Sequence, residues 1–556
     1  MVASASMTLS KTLYSRTGLI VLWALLVVVP LPIREVMSPD ESRFAHQAQS
    51  MKSSGEWVVP YIGDDRNVDK PPVLFWSVVI ASLPFDRVNE ATSRVPSAIG
   101  ALIVLLLTAR LGRRLWGVDA IGYGGALVAL TGIEFFQKAQ WCSCDMTMAA
   151  FVFIAITLWG EALFSDPQPK RPALRIALGW AAVGLGVLTK GPVALLWPVF
   201  WIVAEAVARR RFRPLTRIGW NPGVGLAFLI VGAWIYGLGV RAGWDFVYEA
   251  TIHQNIHRYT NAWNSVRPWW FYSYQMPADL VPWTAFLPAA IVIALRKRSN
   301  PSNPSEDRST IAARTAALFT LFGLVLFSGS SGKRGVYMME AFPAVSLIIA
   351  ASVVQAGLGT LGFGVMAALG IVLGVLTPAA LAVGAVSLPQ ALLAAAGMSG
   401  AIALVVSGLA LTVGASYGLV LLRRGRRDAA LASAIGGTLV ALFLAGTVGG
   451  ATWSRMQSAE PFCARMDAAA PRGERIAVDN AKFEQFMFYT LRKTAMYNSD
   501  EELAVLLTGD RCRYAILLRD RYERMRGSPP IDDLSVLAEG RINRHLYVLV
   551  GPADSH

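Results

Sequence analysis

The sequence predicts a mainly α-helical, polytopic membrane protein of about 13 transmembrane helices, followed by a small C-terminal α/β unit. Three observations predict it. Of 556 residues, 54% are hydrophobic and only 16% are charged, where a soluble chain carries about 25% charged residues. The apolar residues gather in runs long enough to cross the hydrocarbon core, which takes about 20 residues of helix. Past Gly450 these runs stop and the chain becomes mixed and charged. The net charge of +14 is spread over short Lys/Arg clusters between apolar runs. Cytoplasmic loops are marked that way, whereas a nucleic-acid binder shows a basic stripe or a recognition motif.

The expected spans fall near 17–34, 94–112, 118–137, 146–164, 174–190, 191–208, 222–240, 277–295, 310–328, 340–355, 361–386, 397–422 and 429–452. Lys11 and Arg16 precede the first run and no small-residue cleavage site follows it, so Gly18–Pro32 reads as a retained helix with a cytoplasmic start. Basic clusters at Arg110–Arg114, Lys170–Arg175, Arg209–Arg217, Arg296–Arg298 and Arg423–Arg427 follow the second, fourth, sixth, eighth and twelfth spans. All then face the cytoplasm, and the odd count leaves the tail outside. Val73–Phe85 is apolar but too short to span. Residues 35–93 are therefore expected to form one large external loop with helices at the membrane surface.

Two units result: a membrane unit, 1–452, and an external α/β unit, 453–556. In the second, Arg475–Val478, Tyr514–Leu518 and Leu546–Val550 read as strands, with helices Glu484–Arg492 and Asp500–Leu507 between the first two. It has no G-x-G-x-x-G or Walker pattern and is expected to be non-catalytic. Four cysteines are too few for a disulfide scaffold, and Cys142-Ser143-Cys144 has no second pair to complete a zinc site. Cys463 and Cys512, both in the tail, are left as a candidate disulfide.

With this topology nearly every unusual polar group falls outside. Ionisable groups in a membrane cost roughly 2.5–3.5 kcal/mol each at the midplane. A loop that keeps Asp40, Glu41, Arg43, Asp69 and Lys70 beside apolar spans is therefore expected to use them. Lys138 and Asp145 precede the fourth span, and Asp145 reads either as a catalytic acid or as the cap of the helix it opens. In 241–276, His253 and His257 stand four apart but lack the glutamate of H-E-x-x-H, and read as interfacial histidines. Trp263, Trp269 and Trp270 read as an aromatic belt. Lys333 and Arg334 lie in an external loop, where basic residues are scarce, which points to use.

Nucleotide sugars and ATP are cytoplasmic, so an external transferase needs an energised donor carried across by a lipid. A polyprenyl-phosphate sugar meets that need. Its departing phosphate calls for Arg and Lys, and a carboxylate near the anomeric carbon orients or deprotonates the acceptor.

Pro39-Asp40-Glu41-Ser42-Arg43, Lys70-Pro71-Pro72 and Arg94-Val95-Pro96-Ser97 resemble motifs of the aminoarabinose transferase and protein mannosyltransferase superfamily. Asn255–Tyr259 (N-x-x-R-[FY]) and Lys333–Pro343, with Tyr337 between lysine and proline, look like parts of the same pattern. The resemblance runs from about 17 to 355, and the last spans and tail look more like the aminoarabinose branch. It implies a GT-C fold, a polyprenyl-phosphate-linked donor and inverting transfer. Asp40 matches the family's essential aspartate, and Arg43 and Lys70 the pair holding the lipid phosphate. Arg258, Lys333 and Tyr337 fall in the substrate-binding parts of the pattern. Asp69 replaces the usual Glu, and His253-Gln254-Asn255 the usual Glu-His-Asn. Both departures fall on positions the resemblance implies for a divalent cation, Asp69 and His253.

The expected function is transfer of a sugar, such as 4-amino-4-deoxy-L-arabinose, to lipid A or another envelope glycolipid at the periplasmic face of the bacterial inner membrane. The alternatives are a hexose or hexosamine moved to lipopolysaccharide, polysaccharide or protein, and a lipid flippase. The expected partners are the donor, the acceptor and membrane lipids, with no nucleic acid. Transport fits less well: transporters set ionisable groups at the midplane of repeated halves, and here they cluster at one end without an internal repeat.

Overall fold

The computed structural model describes residues 12–37, 39–63, 65–67, 69–251, 253, 265–296, 304–382, 390–479, 483–509 and 511–552. Among them nine helices are long and apolar enough to cross a bilayer: Glu90–Trp116, Cys144–Phe164, Pro172–Lys190, Arg213–Ala242, Asp307–Gly329, Gly335–Val354, Thr360–Ala379, Met398–Arg423 and Arg427–Gln457. Tyr272–Asp279 and Trp283–Leu295 form a tenth if taken together, although the chain bends by 112° between them. The chain is a multi-pass membrane protein.

Four expected spans differ in form, and local chemistry explains three of them. The run at 17–34 is helical over Arg16–Val28, because Pro30 and Pro32 remove backbone donors just beyond. The run at 118–137 breaks at Thr131-Gly132 into Asp119–Leu130 and Ile133–Ala139. The run at 277–295 bends where Pro277 and Pro282 interrupt the hydrogen-bond ladder. The run at 191–208 is a 17-residue helix, Val193–Arg209.

The bundle has two chemically different ends. Arg110 and Arg175 both pair with Glu161, each at 2.5 Å, while Arg114 (2.6 Å) and Arg209 (2.9 Å) share Glu205. Glu205 is fully buried, a position tolerable for a carboxylate only when it is paired. On the helix Cys144–Phe164, Asp145 lies 16 residues before Glu161, about 24 Å away at 1.5 Å per residue. The basic clusters thus gather at one end and the acid–base loops at the other.

The 35–93 segment folds over the second end. Its helix α1, Asp40–Ser54, stops at Gly55 in the left-handed region (φ +71°). The next helix, α2, Val73–Ala81, has only nine residues, too few to span. Phe44 and Phe75 from α1 and α2 pack into one core with Phe486, Tyr489 and Ile516 of the tail. The tail is built on a five-stranded sheet of β1 (Ile476–Asp479), β2 (Thr494–Tyr497), β3 (Tyr514–Leu518), β4 (Leu534–Ile542) and β5 (His545–Pro552), in the order β2-β1-β3-β5-β4. β1 runs parallel to β2 and β3, and β5 antiparallel to β3 and β4. Hydrogen bonds tie the tail to the loop: Gln485 donates to the Val36 carbonyl, the Val36 amide to the Tyr489 hydroxyl and the Glu35 amide to the Ser454 hydroxyl. The candidate disulfide does not form. Cys463 and Cys512 are both free thiols buried in separate cores of the tail.

Candidate functional site

A cavity of about 860 Å³ opens where the loops converge. At one side a chain of five charges runs unbroken. Arg334 pairs with Asp40 at 2.8 Å, Asp40 with Arg43 at 2.7 Å, Arg43 with Asp69 at 3.0 Å and Asp69 with Lys70 at 2.7 Å. Local structure supplies much of this. Asp40 opens α1, where the helix dipole favours an acid, and Arg43 is one turn on, within reach at i+3. Pro71 and Pro72 start the next helix, which fixes Asp69 and Lys70 just ahead of it. Three cations face two carboxylates, leaving one net positive charge toward the cavity.

The cavity lining also holds a second ion pair, Lys190 with Asp145. Asp145 is not the cap of its helix: Ser143 is, its hydroxyl accepting the Asp145 amide. Lys190 ends the helix Pro172–Lys190, and Gly191, at φ +106°, turns the chain there in a conformation that favours glycine. The Lys190 ammonium lies 5.1 Å from the centroid of the Tyr337 ring, a cation–π contact. Glu134, Lys138 and Glu340 line the same cavity. Burial pushes the Glu134 carboxyl up to about 7, against the pull of nearby Lys138. That value suits a proton acceptor at neutral pH.

Beneath the cavity, Glu41 and Arg94 form a buried pair at 2.7 Å, with exposures of 1% and 0%. Arg94 also donates to the carbonyls of Leu31, Arg34 and Glu35. It thereby holds the start of the external loop against the helix Glu90–Trp116.

Residues 69–236 match the family described as dolichyl-phosphate-mannose-protein mannosyltransferase. Over 346 residues the chain is 30% identical to the undecaprenyl phosphate-alpha-4-amino-4-deoxy-L-arabinose arabinosyl transferase 1 of Pseudomonas fluorescens, covering 61% of this chain and 57% of that one. A transferase of the same name from Erwinia tasmaniensis is 29% identical over 66% of both chains. The chain therefore spans between about three fifths and two thirds of the length of these curated relatives. The crystal structure of ArnT from Cupriavidus metallidurans bound to undecaprenyl phosphate superposes with a TM-score of 0.77, at 20% identity and 96% coverage of each chain. The chain is similar in sequence to these aminoarabinose transferases and mannosyltransferases, and it shares the fold of ArnT.

The residues selected from the sequence do not all share one place. Asp40, Arg43, Asp69, Lys70, Asp145 and Tyr337 all line the one cavity. Lys333 does not line it. Its buried ammonium donates to the carbonyls of Arg267, at 3.0 Å, and Ser330, and so staples two loop segments together. Arg258 lies outside the described residues.

Of the two candidate cation positions, His253 sits beside Glu249 at 2.8 Å, and Asp69 pairs with Arg43 and Lys70. Among the described residues no three His, Cys, Asp or Glu side chains gather to hold a metal ion. No chemical step is routed through one.

Sequence reasoning missed Lys190, Glu134 and Glu340, and gave Lys333 the place that Arg334 takes. Signals existed for two of them. Lys190-Gly191-Pro192 puts a lysine at the external junction of two apolar runs, and Glu134 interrupts the run Ile133-Glu134-Phe135-Phe136. An ionisable residue so placed is functional by default.

Proposed function

We propose that this protein is a glycosyltransferase of the bacterial inner membrane. It moves a sugar, 4-amino-4-deoxy-L-arabinose as the relatives' names indicate, from a polyprenyl-phosphate donor to lipid A or another envelope acceptor at the periplasmic face. The observation that carries this reading is the charge chain from Arg334 to Lys70 along the wall of a large cavity at the end of the bundle away from the basic clusters. By the positive-inside rule the clusters mark the cytoplasm, which sets the cavity and the α/β tail outside. The finer count belongs to the same reading. The nine long helices, the bent pair, Arg16–Val28, Asp119–Leu130 and Val193–Arg209 together give 13 spans. Reporter fusions after Leu422 are expected to read cytoplasmic and fusions after Gln457 periplasmic; the reverse would move every loop to the other side.

In the proposed transfer an acceptor oxygen attacks the anomeric carbon from the face opposite the phosphate. The C–O bond to phosphate breaks, and its electron pair leaves on the polyprenyl phosphate. Arg43 and Lys70 take the charge that develops there, as a planar fork and a point charge respectively. Asp40, held between two guanidinium groups, orients the sugar. With a hydroxyl acceptor, a carboxylate on the wall also takes the proton. With a phosphate acceptor the nucleophile is already anionic.

Arg43→Ala and Lys70→Ala are each expected to weaken donor binding by roughly 1.5–3 kcal/mol, the range for hydrogen bonds to charged groups. Asp40 keeps Arg334 in the first variant, and Asp69 keeps Arg43 in the second, so the loop should persist. Titration of purified protein with undecaprenyl phosphate checks this. Unchanged binding in both variants would remove the phosphate site from this wall.

A further inference from the structure

We infer that Glu340 is a specificity-determining residue of the proposed transfer, its carboxylate receiving the ammonium group of an amino sugar on the donor. The inference rests on the proposed reading and asks which side chain reads the sugar. Arg334 caps the 3₁₀ turn Gly335–Ala341. Residues three apart in such a helix eclipse, so Tyr337 and Glu340 within it form one row, about 6 Å apart at 2.0 Å of rise per residue, and both line the cavity together with Arg334.

The acid is the unmatched member. Glu340 is 1% exposed, and its Oε1 has no hydrogen-bond partner. A buried polar atom left in that state is costly. The nearest cation is Lys190, but Lys190 is already paired with Asp145 and lies over the Tyr337 ring. The three aspartates of the cavity each have a cation beside them: Asp40 has Arg43 and Arg334, Asp69 has Arg43 and Lys70, and Asp145 has Lys190. An amino sugar phosphate carries a phosphate for Arg43 and Lys70 and an ammonium group for Glu340. A neutral sugar offers Glu340 nothing beyond hydroxyl groups. A desolvated carboxylate distinguishes the two, because hydrogen bonds to charged groups are the stronger ones and leaving the carboxylate unpaired is penalised.

The test compares two synthetic donors, undecaprenyl phosphate bearing 4-amino-4-deoxy-L-arabinose and the same lipid bearing L-arabinose. Each is given with a lipid A acceptor to the native protein and to Glu340→Gln in proteoliposomes. The variant is expected to lose about ten-fold or more in kcat/KM with the amino donor, mainly through KM, and to keep its rate with the neutral donor. Glu340→Asp, which retains the charge, should keep most of the preference for the amino donor. Binding of undecaprenyl phosphate without a sugar should be unchanged in both variants, which reports an intact fold. Equal losses with both donors, or none with either, would overturn the role of Glu340. If the native protein transfers only the neutral sugar, the transferase reading stands and this inference falls. If it transfers neither, the proposed function itself fails.

Discussion

Asp40→Asn is expected to abolish sugar transfer, by about 10²–10⁴-fold if the residue acts on a proton and by a comparable electrostatic loss if it does not. The substitution keeps the shape and removes the charge that Arg43 and Arg334 share. The fold should survive, because Asp69 still holds both Arg43 and Lys70 and the loop core is apolar. Donor binding should persist, since the phosphate contacts come from Arg43 and Lys70. The pH–rate profile of the native protein then separates two roles. A limb near pH 7, with activity rising as a carboxyl loses its proton, would assign proton transfer to Glu134, whose buried carboxyl stands at about 7. Glu134→Gln should remove that limb. Activity flat through this range would leave Asp40 as an electrostatic anchor for a phosphate acceptor. Full activity in Asp40→Asn would defeat both readings and turn attention to Asp69 and Asp145.

Arg94→Ala is expected to cost about 3–5 kcal/mol of stability, the range for removing one partner of a buried ion pair. The variant strands the Glu41 carboxylate and leaves the carbonyls of Leu31, Arg34 and Glu35 without the donors that hold them. Arg94→Lys should rescue little, since an ammonium cannot reproduce the fork that spans both Glu41 oxygens. Thermal unfolding of the detergent-solubilised protein measures the loss, and a midpoint equal to that of the native protein would refute the structural role. The pair also predicts an acid limb. Burial alone would raise the Glu41 carboxyl, but the Arg94 guanidinium overcomes it and holds the group below its usual range. A depressed folded-state value gives stability that is present above the unfolded pKa, about 4.3, and lost as pH falls through the folded one. That dependence should be weaker in Glu41→Gln.

Much of the architecture was legible in the sequence because its causes are local. Apolar runs of sufficient length must cross the bilayer, and the basic clusters between them mark one side. A nine-residue segment such as Val73–Ala81 is too short to span, so 35–93 reads as a single excursion between two spans. Asp40 with Arg43, and Asp69 with Lys70, are neighbours in the chain before they are neighbours in space, and the prolines around them set the helix starts.

Other features depended on which surfaces meet. Whether Lys333 or Arg334 faces the cavity is a matter of one residue in the segment before the 3₁₀ turn, where Lys333 turns to the carbonyls of Arg267 and Ser330, and charge composition is the same for either. Lys190 and Asp145 are 45 positions apart in the sequence, and only the packing of their two helices makes them a pair. Glu340 looked like one acid at the edge of an apolar run until burial showed an oxygen without a partner. Cys463 and Cys512 were compatible as tail cysteines, yet they lie in separate cores of the tail. The sequence by itself determined the membrane class, the two ends and the loop that carries Asp40. Only the tertiary structure decided which charges close on one another, because a pairing energy depends on distance and desolvation, and neither is encoded in a single segment.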